Sequence, residues 1–324
     1  MKARIHKLIV TAILAGLASG CATNRITGRS QAMIVSDDSA AQQSNQAYSQ
    51  LLNEAAQKRA LDDDTYQLSR VQSIAKPLVV QAVKMRPDTQ KWQWDVHVLK
   101  SSEVNAWCMA GGKMAVYTGL LQKIQPTDDE LAAVLGHEIS HAMLSHQAEK
   151  MSRAMMQQAG ITAGVIAASV FGVNVRGLAG LADSAATVAL QLPNSREAET
   201  EADTIGLELS ARAGFNPGAA VTLWQKMLKA GGSGAPEWLS THPNPETRIA
   251  AMQAKSKQLM PIYEAVKQGK PVPPYVAPGQ APVKNAPQPA ARPPAPQPRP
   301  APAQQPAPAA RQPGATTNPR QISI

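Results

Sequence analysis

Apolar positions along the chain fall into a few well-separated patterns. Leu68, Val71, Ile74 and Leu78 recur at helical spacing and predict an amphipathic helix over 65–85. Trp92, Trp94, Val96 and Val98 alternate with Gln93, Asp95 and His97, the period of a half-buried strand with His97 on its solvated side. A second strand pattern over 113–118 follows Gly111-Gly112 and stops at Gly119. Then Thr127-Asp128-Asp129-Glu130 offers an N-cap, its capping-box glutamate and acids in the first turn, predicting a helix from 128 to beyond His146. The small and apolar run 159–173 is too short to span a bilayer and reads as a buried helix or a flap. Helices over 195–213, 217–230 and 245–259 follow, punctuated by Gly214, Asn216-Pro217 and Asn244-Pro245. The fold class is mainly α with a small β-sheet, and the aromatic content of only 4 % amid abundant Ala agrees with it.

The two ends change the picture. Lys2, Arg4 and Lys7 precede a short apolar stretch from Leu8 to Leu17, and Leu17-Ala18-Ser19-Gly20-Cys21 ends it in small residues before a cysteine. Residues 1–20 therefore read as a lipoprotein signal and Cys21 as the lipidated N-terminus, a membrane anchor of several acyl chains. Ala22 in the next position favours an outer-membrane address. Residues 21–64 read as a tether and polar N-terminal segment leading into a helix. Residues 65–260 form the folded domain. Residues 261–324 read as a disordered, basic tail rich in Pro, Ala and Gln, a spacer or a ligand for a partner. The formal charge of +9 sits in that leader and tail, because no acidic residue follows Glu264. The domain between is near neutral, and no nucleic-acid partner is expected. Cys108 is left as a small buried hydrophobe, so the fold stands without an intrachain disulfide.

The chemistry is concentrated in His137-Glu138-Ile139-Ser140-His141. Histidines at i and i+4 of one helix project from one face and can chelate a single Zn²⁺ at about 2.0–2.1 Å. Glu138, displaced about 100° round the helix, can exchange protons with water at the ion without ligating it. A catalytic zinc needs a third protein ligand. The metzincin spacing would place histidine at 147 and glycine at 144, but Gln147 and Leu144 stand there. His146 lies off the shared face and suits an outer-layer or surface role. The remaining source is the acidic helix with Glu197, Glu199, Glu201 and Asp203. Glu199 and Asp203 share a face with Gly206 and Ser210, whose small side chains allow a close approach to the histidine helix. Glu199 can then ligate while Asp203 holds a histidine through its second nitrogen. These acids also suit a solvated helix N-terminus, the reading taken for Glu197 and Glu201.

The H-E-x-x-H helix, the later Glu199-x-x-Ala202-Asp203 stretch and the Thr241-His242-Pro243 turn resemble the zinc peptidase family that includes HtpX and the CAAX prenyl proteases. The likeness covers residues 68–259. Chain length and the cysteine signal resemble its periplasmic lipoprotein branch, which contains LoiP and BepA. The resemblance implies an α+β gluzincin-type metallopeptidase domain holding one Zn²⁺ on His137, His141 and Glu199. It implies that Glu138 is the general base and that His242 approaches the cleft, either to stabilise an oxyanion or to close the zinc. Asp203 is the outer-layer carboxylate. Asn105-Ala106-Trp107 with the following strand resembles a substrate-side edge, so that Lys113, Met114, Ala115, Val116 and Tyr117 would pair with an extended peptide. The implied activity is endoproteolysis of unfolded or misassembled proteins of the bacterial cell envelope. Two alternatives stand beside it. One is a lipoprotein assembly factor or holdase with a closed zinc site. The other is a cell-wall scaffold acting through the tail.

Overall fold

The computed structural model describes residues 21–170, 193–230, 237–242 and 245–277. The leader 1–20, positions 171–173 of the apolar run, Pro243, and the tail from 278 lie outside the described residues. In chain order the elements are β1 (Cys21–Thr23), β2 (Ser30–Ala32), α1 (Asp37–Gln57), α2 (Thr65–Met85), a 3₁₀ turn (Pro87–Lys91), β3 (Asp95–Leu99), β4 (Ala106–Met109) and β5 (Lys113–Tyr117). After a π-helical turn (Leu120–Ile124) come α3 (Asp128–Met143), α4 (His146–Val170), α5 (Arg196–Arg212), α6 (Ala219–Ala230), α7 (Glu237–Thr241) and α8 (Pro245–Lys267). The architecture is mainly α, with one two-stranded and one three-stranded sheet. No helix among the described residues is long and apolar enough to cross a membrane.

β5 is the central strand, parallel to β3 on one side and antiparallel to β4 on the other. This corrects the expectation that Lys113, Met114, Ala115, Val116 and Tyr117 form a free edge. The first four face partners in both β3 and β4, and the Tyr117 N–H donates to the Asn105 carbonyl at 3.0 Å. An incoming peptide finds no unpaired backbone there; the open edge is β4. The β4–β5 turn needs left-handed backbone at Gly111 and Gly112, both at φ +80°, and a Cβ on Gly112 would lie 2.5 Å from the Trp94 ring.

Residues 21–64 are not a tether. β1 and β2 pair as a hairpin, and α1 covers one face of the three-stranded sheet, its buried Tyr48 donating a hydroxyl to the Met114 carbonyl at 3.0 Å. The seam of α1 runs through Ala40, Ser44 and Tyr48, too small and polar to read as an apolar stripe. The other face of the sheet packs Val96, Val98, Met114 and Val116 against α2 and α3, through Val71, Ile74, Leu78, Leu131 and Leu135.

The capping box at the head of α3 forms as predicted: the Glu130 N–H donates to Thr127 Oγ1 at 3.3 Å, and the Thr127 N–H to Glu130 Oε2 at 2.8 Å. The helix does not run past His146. It ends at Met143, and Ser145 turns the chain at φ +59°. Side chains from distant elements take up the freed carbonyls: Arg86 bonds the Met143 oxygen at 2.5 Å, while Asn24 and Gln31 each bond the Leu144 oxygen at 2.8 Å. α8 continues through Pro261 to Lys267, beyond the predicted end. The first residues of the expected disordered tail are docked, with Arg212 donating to the Pro273 carbonyl at 2.7 Å and Tyr275 packed on the core.

Candidate metal centre

Two glycine-lined helices make the site. A Cβ on Gly206 of α5 would lie 2.8 Å from the His137 backbone nitrogen, and one on Gly136 of α3 would lie 2.9 Å from the Gly206 carbonyl oxygen. The axes are therefore closer than side chains would permit, as the Gly206 and Ser210 stripe predicts. That approach brings the acids of α5 against the histidines of α3.

Four buried donors converge: His137, His141, Glu199 and His242, with one ligand atom from each lying within 4.8 Å of the others. His137 Nε2 and His141 Nε2 are 3.1 Å apart. Glu199 Oε2 is 3.5 Å from His137 Nε2, and Glu199 Oε1 is 3.3 Å from His141 Nε2. His242 Nδ1 completes the group at 3.2 Å from His137 Nε2 and 2.9 Å from Glu199 Oε1. A tetrahedron of nitrogen and oxygen donors about 2.0–2.1 Å from a central ion has edges of about 3.3–3.4 Å. The donor set thus fits a divalent ion in both spacing and chemistry.

Each histidine of α3 has its own support. His137 Nδ1 faces Asp203 Oδ1 at 3.0 Å. Asp203 is gripped in turn by the Arg248 fork, Nε to Oδ2 and Nη2 to Oδ1, both at 2.7 Å. Arg248 also reaches Glu199 Oε2 at 2.5 Å and stacks over the Trp224 ring at 4.3 Å. Burial alone would depress the His137 imidazole, but Asp203 and Glu199 beside it push it up to about 9. Burial likewise works to raise Glu199, yet His242, His137 and His141 around it hold the carboxyl well below its ordinary range. His141 is held differently: its Nδ1 lies 2.8 Å from His146 Nδ1, and burial keeps its imidazole well below the ordinary range.

Glu138 stands beside the donors without joining them. Its Oε1 accepts the Trp238 indole N–H at 3.2 Å and lies 3.4 Å from His242 Nε2. A cleft lined by Asn105, Trp107, Met109, Glu138, His141 and His242 opens along β4. Within β4, Trp107 bonds toward β5, which turns the backbone groups of Ala106 and Cys108 to the cleft, where the Gln147 side chain occupies the Cys108 carbonyl at 2.8 Å.

Of the residues singled out from sequence, the structure brings together His137, Glu138, His141, Glu199, Asp203 and His242. Lys113, Met114, Ala115, Val116 and Tyr117 lie one strand away from the cleft. Exposed Cys21 lies in the hairpin, and His97 pairs with Asp62 and Asp95 in place of standing in solvent. Glu197 is solvated, as expected, but Glu201 is not: it bonds His146 and Arg29. Sequence reasoning missed Arg248, Asn194 and Lys150. Arg248 had a signal, since a cation in the first turn of a helix opposes the macrodipole and needs another partner. Asn194, which donates to Glu199 Oε1 at 2.8 Å, had none. Lys150 lines the cleft, and burial pulls its ammonium down to about 8.

The description "Peptidase family M48" matches residues 66–256, a span holding every residue of the donor cluster. The chain is 36 % identical over 183 residues to mitochondrial metalloendopeptidase OMA1 of Arabidopsis thaliana, covering 55 % of this chain and 35 % of that protein. It is 30 % identical over 249 residues to metalloendopeptidase OMA1, mitochondrial, of Homo sapiens, covering 74 % and 46 %. To the beta-barrel assembly-enhancing protease of Escherichia coli (strain K12) it is 30 % identical over 171 residues, covering 51 % and 35 %. The chain spans less than half the length of each of these relatives.

Proposed function

The chain belongs to peptidase family M48, and from that membership and the donor geometry we propose a zinc-dependent endopeptidase of the bacterial cell envelope. The observation that carries the reading is the convergence of two histidines and a carboxylate from two helices, with a second buried acid, Glu138, beside them and outside the donor set. His137, His141 and Glu199 hold the ion. Zinc, when bound, supplies a Lewis acid and makes water acidic enough to attack near neutral pH. Glu138 takes the proton and delivers it to the leaving amine, with the Trp238 N–H fixing its carboxylate. Asp203, held by Arg248, keeps the proton of His137 on Nδ1 and its Nε2 lone pair free. The substrate adds in extended form to β4, displacing Gln147 from the Cys108 carbonyl.

Unfolded or misassembled envelope proteins are the proposed substrates, since only an extended chain can pair along β4. The name of the beta-barrel assembly-enhancing protease supports this reading, and the leader ending at Cys21 supports lipid anchoring at the outer membrane. Cys21→Ser should release the protein from membranes without abolishing catalysis. Metal analysis of the purified protein, with casein cleavage in the presence and absence of chelator, tests the enzyme reading. Absence of bound zinc together with chelator-insensitive cleavage would sink it.

A second reading has its own support in His242, whose Nδ1 sits among the donors. In that position the side chain closes the site against water, and the protein rests inactive, acting as an assembly factor or holdase until the loop moves. His242→Ala should then raise basal casein cleavage. A fall of about 10²–10³-fold would assign His242 to the oxyanion.

A further inference from the structure

We infer that the N-terminal hairpin is a positioning element of the metal centre, with Arg29 acting through Glu201 and His146 on His141. The inference rests on the metal-site reading above, and its argument lies in the direction of a hydrogen-bond chain. His141 can offer Nε2 to an ion only if its proton sits on Nδ1. The Nδ1 faces His146 Nδ1 at 2.8 Å, and His146 Nε2 faces Glu201 Oε2 at 3.0 Å. Two imidazoles in series form a wire that runs equally well in either sense. With both tautomers reversed, His141 would carry its proton on Nε2 and block the ion.

The far end decides. An ionised carboxylate only accepts. Glu201 therefore fixes the His146 proton on Nε2, which leaves the His146 Nδ1 lone pair to accept from His141 Nδ1. The His141 Nε2 is then free. This requires Glu201 to stay in place as the acceptor, and the hairpin holds it there. Arg29 Nε donates to Glu201 Oε2 at 2.9 Å, and its two Nη atoms fork onto Glu149 at 2.9 and 2.6 Å. Only a planar guanidinium can bridge two carboxylates in this way. The same hairpin brackets His146 itself. Asn24 and Gln31 both bond the Leu144 carbonyl at the break before α4, and Gln31 also bonds Glu149 at 2.9 Å. The side chains of His146 and His141 are each 2 % exposed, so no solvent competes along the wire.

The test is a double-mutant cycle read by zinc affinity in the full chain, using a competing chelator. Arg29→Ala should weaken zinc binding by about 10-fold, the lower end for loss of an outer partner. In a His146→Ala background the same change should have no further effect, because the wire is already cut. Arg29→Lys, which keeps the charge but loses the fork, should recover part of the affinity and serves if Arg29→Ala does not fold. Nitrogen-15 spectra of the metal-free protein should show His141 protonated on Nδ1 in the wild type and mixed in Arg29→Ala. Unchanged affinity in Arg29→Ala and Arg29→Lys overturns the inference, as does an equal loss with and without His146. A wild-type protein that binds no zinc would instead sink the site reading itself.

Discussion

The two histidines of α3 enter the same donor cluster with different supports. His137 leans on a carboxylate, Asp203, locked by an arginine from the C-terminal part of the domain. His141 leans on a second imidazole, and the carboxylate and arginine stand one step further away, in α5 and the N-terminal hairpin. The first arrangement places negative charge against the ligand and raises its imidazole to about 9; the second leaves burial dominant and keeps the imidazole neutral. Each chain of support ends in an arginine, and the two arginines come from opposite ends of the fold. The difference teaches that a fixed second nitrogen is the common need, and that the group supplying it is free to vary.

Removing shared machinery should have the largest effect. Glu138→Gln is expected to lose about 10²–10⁴-fold or more in turnover with metal retained. His137→Ala, His141→Ala and Glu199→Ala should each lower metal content. Full occupancy in Glu199→Ala, measured by elemental analysis, would remove it from the donor set. Next come the two supports themselves. Asp203→Ala and His146→Ala should each weaken zinc by about 10–100-fold, with Asp203→Ala the larger because it also takes from the buried Arg248 the carboxylate its fork grips. Equal losses would break the distinction between the two sides.

Gly206→Ala probes only the His137 side. The new methyl meets the His137 backbone at 2.8 Å, so the helices must part. A stability loss of about 1–3 kcal/mol or more is expected by denaturant melts, with weaker zinc binding, whereas an unchanged protein would show that the close approach is dispensable. The smallest effect comes from a histidine remote from the metal. Burial would depress His97, but Asp62 and Asp95 raise it to about 9. Its folded value is above the unfolded one, so its stabilisation is complete below about pH 6.5 and disappears as pH rises through about 9. For this partly exposed pair about 1 kcal/mol survives solvent screening. His97→Gln should therefore lower stability at pH 6 and leave it unaltered near pH 10; equal losses at both would assign His97 to packing.

Some of this was fixed by sequence because the physics is local. The capping box, the i, i+4 histidines, the Glu199 and Asp203 face and the small stripe at Gly206 all act within one or two helical turns, where spacing alone sets direction. Helix α2 and the strand pattern of β5 were legible for the same reason. The rest depended on partners far apart in the chain. Whether β5 is an edge depends on what pairs beside it, and β4 has too little alternation to announce itself. The helix α1 and the hairpin were hidden because their buried contacts are polar or small: Ser44, Asn24, Gln31 and Arg29 look solvated until a carbonyl or carboxylate meets them. The break at Ser145 belongs to the same class, since the carbonyls it frees are satisfied by Arg86, Asn24 and Gln31 from elsewhere. Sequence determined which side chains share one helix face, because a helix fixes its own geometry. Only the tertiary structure decided what holds them there, because a buried polar group takes its meaning from its partner.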